Sequence, residues 1–97
     1  MEAAAAAYEA GRFDDAERIC IAMLDRDAAE FDAMRLLALL QHRAGRCTEA
    51  LANYDRALTL RPDHAEALCN RGNVLADLKR FAEALASYDK ALRFEPG

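Results

Sequence analysis

A nine-residue stretch of this chain returns nearly unchanged 34 positions later. Ala50-Leu51-Ala52-Asn53-Tyr54-Asp55-Arg56-Ala57-Leu58 comes back as Ala84-Leu85-Ala86-Ser87-Tyr88-Asp89-Lys90-Ala91-Leu92. Ala33, Arg46, Glu49 and Pro62 return as Ala67, Arg80, Glu83 and Pro96 at the same offset. A period in this range means stacked small units, each burying its apolar face only against its neighbours. Such a chain offers a surface for holding other molecules rather than a pocket for chemistry.

Composition narrows the class further. Ninety-seven residues make one domain at most, and 54% apolar residues are enough for a core. Ala, Leu, Glu, Arg and Asp dominate, with only two prolines and four glycines, which favours helix. The net charge is −4 and the basic residues are scattered among acids, so the basic stripe that nucleic acid or an anionic membrane needs is missing. No apolar run reaches the roughly 18 residues of a membrane span, and the start lacks the pattern of a secretion signal. Cys20, Cys47 and Cys69 are odd in number, far apart and free of any Cys-x-x-Cys pair. They suggest neither a disulfide framework nor a zinc site, and fit a reduced, cytoplasmic setting.

Within the unit from 65 to 97, Leu68, Gly72, Val74, Leu75 and Leu78 recur at helical spacing. Lys79-Arg80 interrupts the pattern, and Phe81, Ala84, Leu85, Tyr88, Ala91 and Leu92 resume it. The spacing predicts two short amphipathic helices joined by a tight turn. Gly72 lets the two lie close, with Ala84 and Ala91 small on the other side. Pro96 ends the second helix. The unit from 31 to 64 repeats the plan. Met34, Leu37 and Ala38 line its first helix, and Gly45 supplies the left-handed residue at that helix's end. Ala50, Tyr54, Ala57 and Leu58 line its second helix, Pro62 stops it, and Asp63 is the expected cap of the next. The unit from 1 to 30 is four residues short, with its first helix starting at Met1. Ala28 stands where the other units have proline, which predicts a less sharp turn there.

These residues resemble the tetratricopeptide repeat, whose 34-residue motif reads W-x2-L-G-x2-Y, then A-x3-F, then P. Leu68-x2-Arg71-Gly72-x2-Leu75, Ala84-x3-Tyr88 and Pro96 follow it in one unit. Met34-x2-Leu37-Ala38-x2-Gln41, Ala50-x3-Tyr54 and Pro62 follow it in the other. Arg71 departs from the motif's Leu, Gln41 from its Tyr, and Cys47 replaces a larger aromatic. The resemblance implies an all-α solenoid of about three helix-turn-helix units in a right-handed superhelix. It also implies a concave face, lined by the first helix of each unit, that binds peptide segments.

On that reading the groove is lined by Asp32, Arg35, Leu36, Leu39, His42 and Arg43 in the middle unit. Glu66, Cys69, Asn70, Asn73 and Asp77 line it in the last, and Glu2, Ala5, Tyr8 and Glu9 in the first. Asn70 and Asn73 share a helix face, where two amides can pair with a peptide backbone or simply stay solvated. Leu36 and Leu39 also share a face, and either form an apolar anchor pocket or are covered by neighbouring helices. Arg35 and Asn70 match two parts of a carboxylate clamp, but Leu39 stands where such a clamp has Asn. His42 and His64 have no acidic or thiol partner at metal-ligand spacing, so no metal, cofactor or catalytic residue is expected. Cys20 and Cys47 read as small core residues, and Cys69 as the thiol open to labelling.

At the other end of the stack, Leu85, Tyr88, Leu92 and Phe94 are left uncovered by the final helix. Patches of that kind seldom stay bare, so the chain is expected to be part of a longer repeat protein or to pack against a copy. Three functions follow. The first is a non-catalytic module that binds a protein or peptide. The second is the substrate-selecting repeat arm of a larger enzyme, such as a protein glycosyltransferase. The third is a self-assembling scaffold.

Overall fold

The computed structural model describes residues 2–95. Six helices follow one another: α1 (Glu2–Glu9), α2 (Phe13–Arg26), α3 (Phe31–Arg43), α4 (Cys47–Leu60), α5 (Ala65–Asp77) and α6 (Phe81–Phe94). No strand occurs among the described residues. Each even-numbered helix packs chiefly on the helix before it, α2 and α4 pack next on the helix after them, and α3 also touches α5. This is an all-α solenoid of antiparallel helix pairs. The expected helix start at Met1 and stop at Pro96 lie outside the described residues.

The turns inside the pairs are built alike. The N–H groups of Arg12, Arg46 and Arg80 reach back to the carbonyls of Ala7, Gln41 and Leu75, each at 2.8 Å. Those of Gly11, Gly45 and Lys79 reach Tyr8, His42 and Ala76 at 2.9–3.0 Å. These bonds satisfy the free carbonyls at a helix end and require a left-handed residue in the middle. Gly11 and Gly45 supply it at φ 79° and 81°. Lys79 occupies the same place at φ 62° with a side chain that disfavours it. The carbonyls of the three arginines then open the next helices by accepting from Ala16, Ala50 and Ala84.

Between the pairs, the expected difference in sharpness is absent. Glu30 N–H bonds to Asp27 O at 3.1 Å, and His64 N–H to Arg61 O at 3.3 Å. Where the later turn has Pro62, the earlier one uses the Asp27 carboxylate, which accepts from Ala29 N–H at 3.0 Å. The cap of α5 is His64 rather than Asp63: its ring Nδ1 accepts from Ala67 N–H at 3.1 Å.

Three apolar clusters form the core. Ala4, Ala7, Ala16 and Cys20 meet Leu36, Leu37 and Leu40. Ala38, Ala50, Leu51 and Tyr54 meet Val74, Leu75 and Ala84. Phe31, Met34, Ala57 and Ala67 close the space under the turn between pairs. Leu36 is thus a core residue, only 5% exposed, and is not part of an open groove. It shares a cluster with Ala4 and Ala7 of α1 and with Ala16 and Cys20 of α2, and burying a Leu in this way contributes about 1.5–3 kcal/mol. Leu39 is half-buried against the same cluster.

Candidate peptide groove

The candidate groove residues of the middle and last units lie on α3 and α5, and Arg35 and Asn70 lie near the hydroxyl of Tyr54 on α4. Arg35 on α3 donates from Nη1 to Glu66 Oε1 on α5 at 2.9 Å. One helical turn pair further along, His42 Nε2 stands 2.5 Å from Asp77 Oδ2. The groove candidates on α3 and α5 therefore hold one another, and the four charged or ring side chains are tied rather than free. Arg43 points elsewhere, with its guanidinium 4.0 Å above the Phe13 ring.

Asn70 and Asn73 do not act as a pair. Asn73 accepts the Tyr88 hydroxyl at 2.6 Å, while Asn70 is half-buried in a separate concavity. That concavity, about 990 Å³, is lined by Glu66, Cys69 and Asn70 of α5 and by Tyr88, Ala91 and Leu92 of α6. It joins part of the groove set to part of the set expected at the open edge. Tyr88 is only partly open: its ring packs half-buried on the core and also lines this concavity. Leu85, Leu92 and Phe94 are exposed, as is Phe81, because no helix follows α6 within the described residues.

Two polar atoms under the groove lack partners. Arg35 Nε and the Tyr54 hydroxyl are both buried and make no hydrogen bond. Burial pushes the Tyr54 hydroxyl up to about 12, against the pull of nearby Arg35 and of Asn70. Asn70 favours the ionised form by proximity, but does not meet the hydroxyl in normal hydrogen-bond geometry. Neither buried atom was foreseen in this role. The tyrosine belongs to the repeat's packing positions, and only the stacked helices show that its hydroxyl comes up beneath Arg35.

Other contacts explain the departures from the repeat pattern. Gln41 is buried and accepts from Asn53 Nδ2 at 2.8 Å. Arg71 donates from Nε to Asp55 at 2.5 Å. Cys20 is buried and Cys69 exposed, while Cys47 is half-buried. His42 does have the acidic and thiol neighbours that spacing along the chain concealed. One donor atom each from His42, Cys47 and Asp77 lies within 4.8 Å of the others.

A stack of helix pairs with a polar inner face defines a helical-repeat domain. The sequence model of the tetratricopeptide repeat matches residues 1–61 and again 43–97, and the chain belongs to that family. No curated protein matches the chain. Among solved structures, MamA superposes with a TM-score of 0.91 at 19% identity, over 96% of this chain and 54% of MamA. The chain therefore spans about half the length of that relative. The first repeat domain of Spaghetti (RPAP3), bound to the HSP90 peptide SRMEEVD, gives a TM-score of 0.94 at 22% identity, over 99% of this chain and 76% of that one. A mutant O-GlcNAc transferase from Thermobaculum terrenum gives 0.95 at 29% identity, over 98% of this chain and 18% of the enzyme. No helix among the described residues is long and apolar enough to cross a membrane.

Proposed function

We propose that this domain is a non-catalytic interaction module that holds a protein or peptide segment in the concavity between α5 and α6. The observation that supports this best is the concavity where Glu66, Cys69 and Asn70 face the apolar Ala91 and Leu92. A polar wall opposite an apolar one suits an extended peptide, with backbone amides meeting Asn70 and one apolar side chain resting on Leu92. The peptide-bound relative supports the reading by likeness of fold. The alternative is a substrate-selecting repeat arm of a larger enzyme, which the O-GlcNAc transferase relative supports by likeness of fold over 18% of its length.

The test is selection from a random-peptide display library, followed by titration of the recovered peptides against variants. Asn70→Ala and Leu92→Asp should each weaken binding about tenfold or more and leave the helical circular dichroism unchanged. Peptides that bind both variants as well as the parent would place the site elsewhere.

A second reading rests on the exposed face of α6, where Leu85 is 61%, Leu92 58% and Phe94 53% exposed. A second copy covering it would give concentration-dependent association, which light scattering on a sizing column measures. A monomer throughout a hundredfold concentration range, roughly the span over which a weak dimer would show itself, leaves the peptide reading alone.

A further inference from the structure

The junction between the first helix pair and α3 is an aromatic and cationic stack. Tyr8 and Phe13 meet edge to face with ring centres 5.5 Å apart, and Arg43 lies 4.0 Å above Phe13. Each of these positions recurs 34 residues on. Tyr8 becomes His42, Phe13 becomes Cys47, and Arg43 becomes Asp77. All three packing residues are replaced together, and every replacement is a metal-ligating type. The fold draws them together from three helices: the last turn of α3, the first residue of α4 and the last residue of α5.

We propose that His42, Cys47 and Asp77 form a binding site for a divalent transition metal, with zinc the ion that the donors fit. Imidazole nitrogen, thiolate sulfur and carboxylate oxygen are zinc's usual protein ligands, whereas magnesium and calcium require oxygen alone. Zinc bonds of roughly 2.0–2.3 Å at tetrahedral angles put donor atoms about 3.3–3.6 Å apart. The present cluster needs only small side-chain rotations to reach that. The 2.5 Å contact between His42 and Asp77 opens, and the sulfur closes in from within 4.8 Å. The Cys47 thiol proton leaves to solvent as the sulfur–metal bond forms, His42 binds neutral, and water fills the fourth position.

The ion would pin the end of α5 to the turn between α3 and α4, at the seam of the middle and last pairs. Binding only the folded chain, it would stabilise that seam by mass action. The site is separate from the concavity at Asn70, so it stands or falls independently of the peptide reading.

The test uses tag-free, reduced protein stripped with a chelator, titrated with cobalt(II) and then challenged with zinc. One equivalent of cobalt should produce a thiolate-to-metal charge-transfer band and the visible bands of a tetrahedral ion, both displaced by zinc. Cys47→Ser, which is nearly isosteric and keeps the fold, should abolish the charge-transfer band. Asp77→Asn keeps a hydrogen-bond partner for His42 but should weaken binding by about a hundredfold, at least the cost of losing a ligand's supporting group. Cys69→Ser should change nothing. Zinc should raise the melting temperature of the parent but not of Cys47→Ser. The proposal is overturned if saturating cobalt gives no charge-transfer band, if Cys47→Ser titrates like the parent, or if the band vanishes with Cys69→Ser. Any of these would leave His42 and Asp77 as a hydrogen-bonded pair and nothing more.

Discussion

The ring of Tyr88 lies against Gly72 so closely that a β-carbon on the glycine would stand 2.5 Å from its Cε1 atom. The ring is held there by the bond from its hydroxyl to Asn73. Gly72→Ala should therefore cost about 2 kcal/mol in overpacking, offset by about 1 kcal/mol of improved helix propensity. The net loss of about 1 kcal/mol is measurable by urea denaturation. The same substitution in a Tyr88→Ala background should instead stabilise, because the clash is gone and the propensity gain remains. Stabilisation of the parent by Gly72→Ala would show that the ring yields freely.

Lys79 offers the opposite case. It holds the left-handed position that Gly11 and Gly45 fill in the other two turns. The strain on a side chain there is about 1–2 kcal/mol, part of which glycine returns as unfolded-chain entropy. Lys79→Gly should raise stability by about 0.5–1 kcal/mol, seen as a higher melting temperature. Gly45→Ala should lower it by a similar amount. A neutral Lys79→Gly would mean that the lysine's own contacts compensate for the strain.

The helix pairs, the turn glycines and the close approach at Gly72 were legible because each repeats a local pattern whose physics does not depend on the rest of the chain. The groove was less so. Leu36 is groove-facing by helical position, but it is buried in a cluster with α1 and α2, and nothing local in α3 says how the preceding helix pair packs on it. The pairs Arg35–Glu66 and His42–Asp77 join residues more than thirty positions apart, and only the stacking of α3 on α5 fixes their register. Ala28 predicts a looser turn by the loss of proline, while Asp27, one residue earlier, restores it with its carboxylate.

Gln41 and Asn53 form a buried amide pair at the seam of α3 and α4. The corresponding residues in the first pair are Ala7 and Ile19, so this place tolerates apolar side chains. Gln41→Leu alone strands the Asn53 amide donor and should cost about 1–3 kcal/mol. Changing both to leucine removes donor and acceptor together and should recover most of that loss. A double-mutant cycle in urea measures the coupling. Additive losses would show that the hydrogen bond contributes nothing beyond packing.

The last prediction concerns alkaline pH. Burial, the dominant cause in both cases, pushes the Cys20 thiol up from 9.0 to about 11 and the Tyr54 hydroxyl up from 10.0 to about 12. A raised folded value means that the native state holds the proton more tightly than the unfolded chain does. The stability contributed by the neutral forms is therefore intact below pH 9 and falls as the pH climbs from 9.0 through about 12. Denaturation midpoints should be level up to the start of that window and decline across it. Tyr54→Phe should remove the upper part of the decline, above the tyrosine's ordinary value. It should also raise stability at neutral pH by about 1 kcal/mol, because it deletes a buried hydroxyl that has no partner. Cys20→Ala should remove the lower part of the decline, at the cost of a small cavity. If Tyr54→Phe destabilises the neutral protein, the hydroxyl has a partner after all, and Asn70 is the side chain placed to be it.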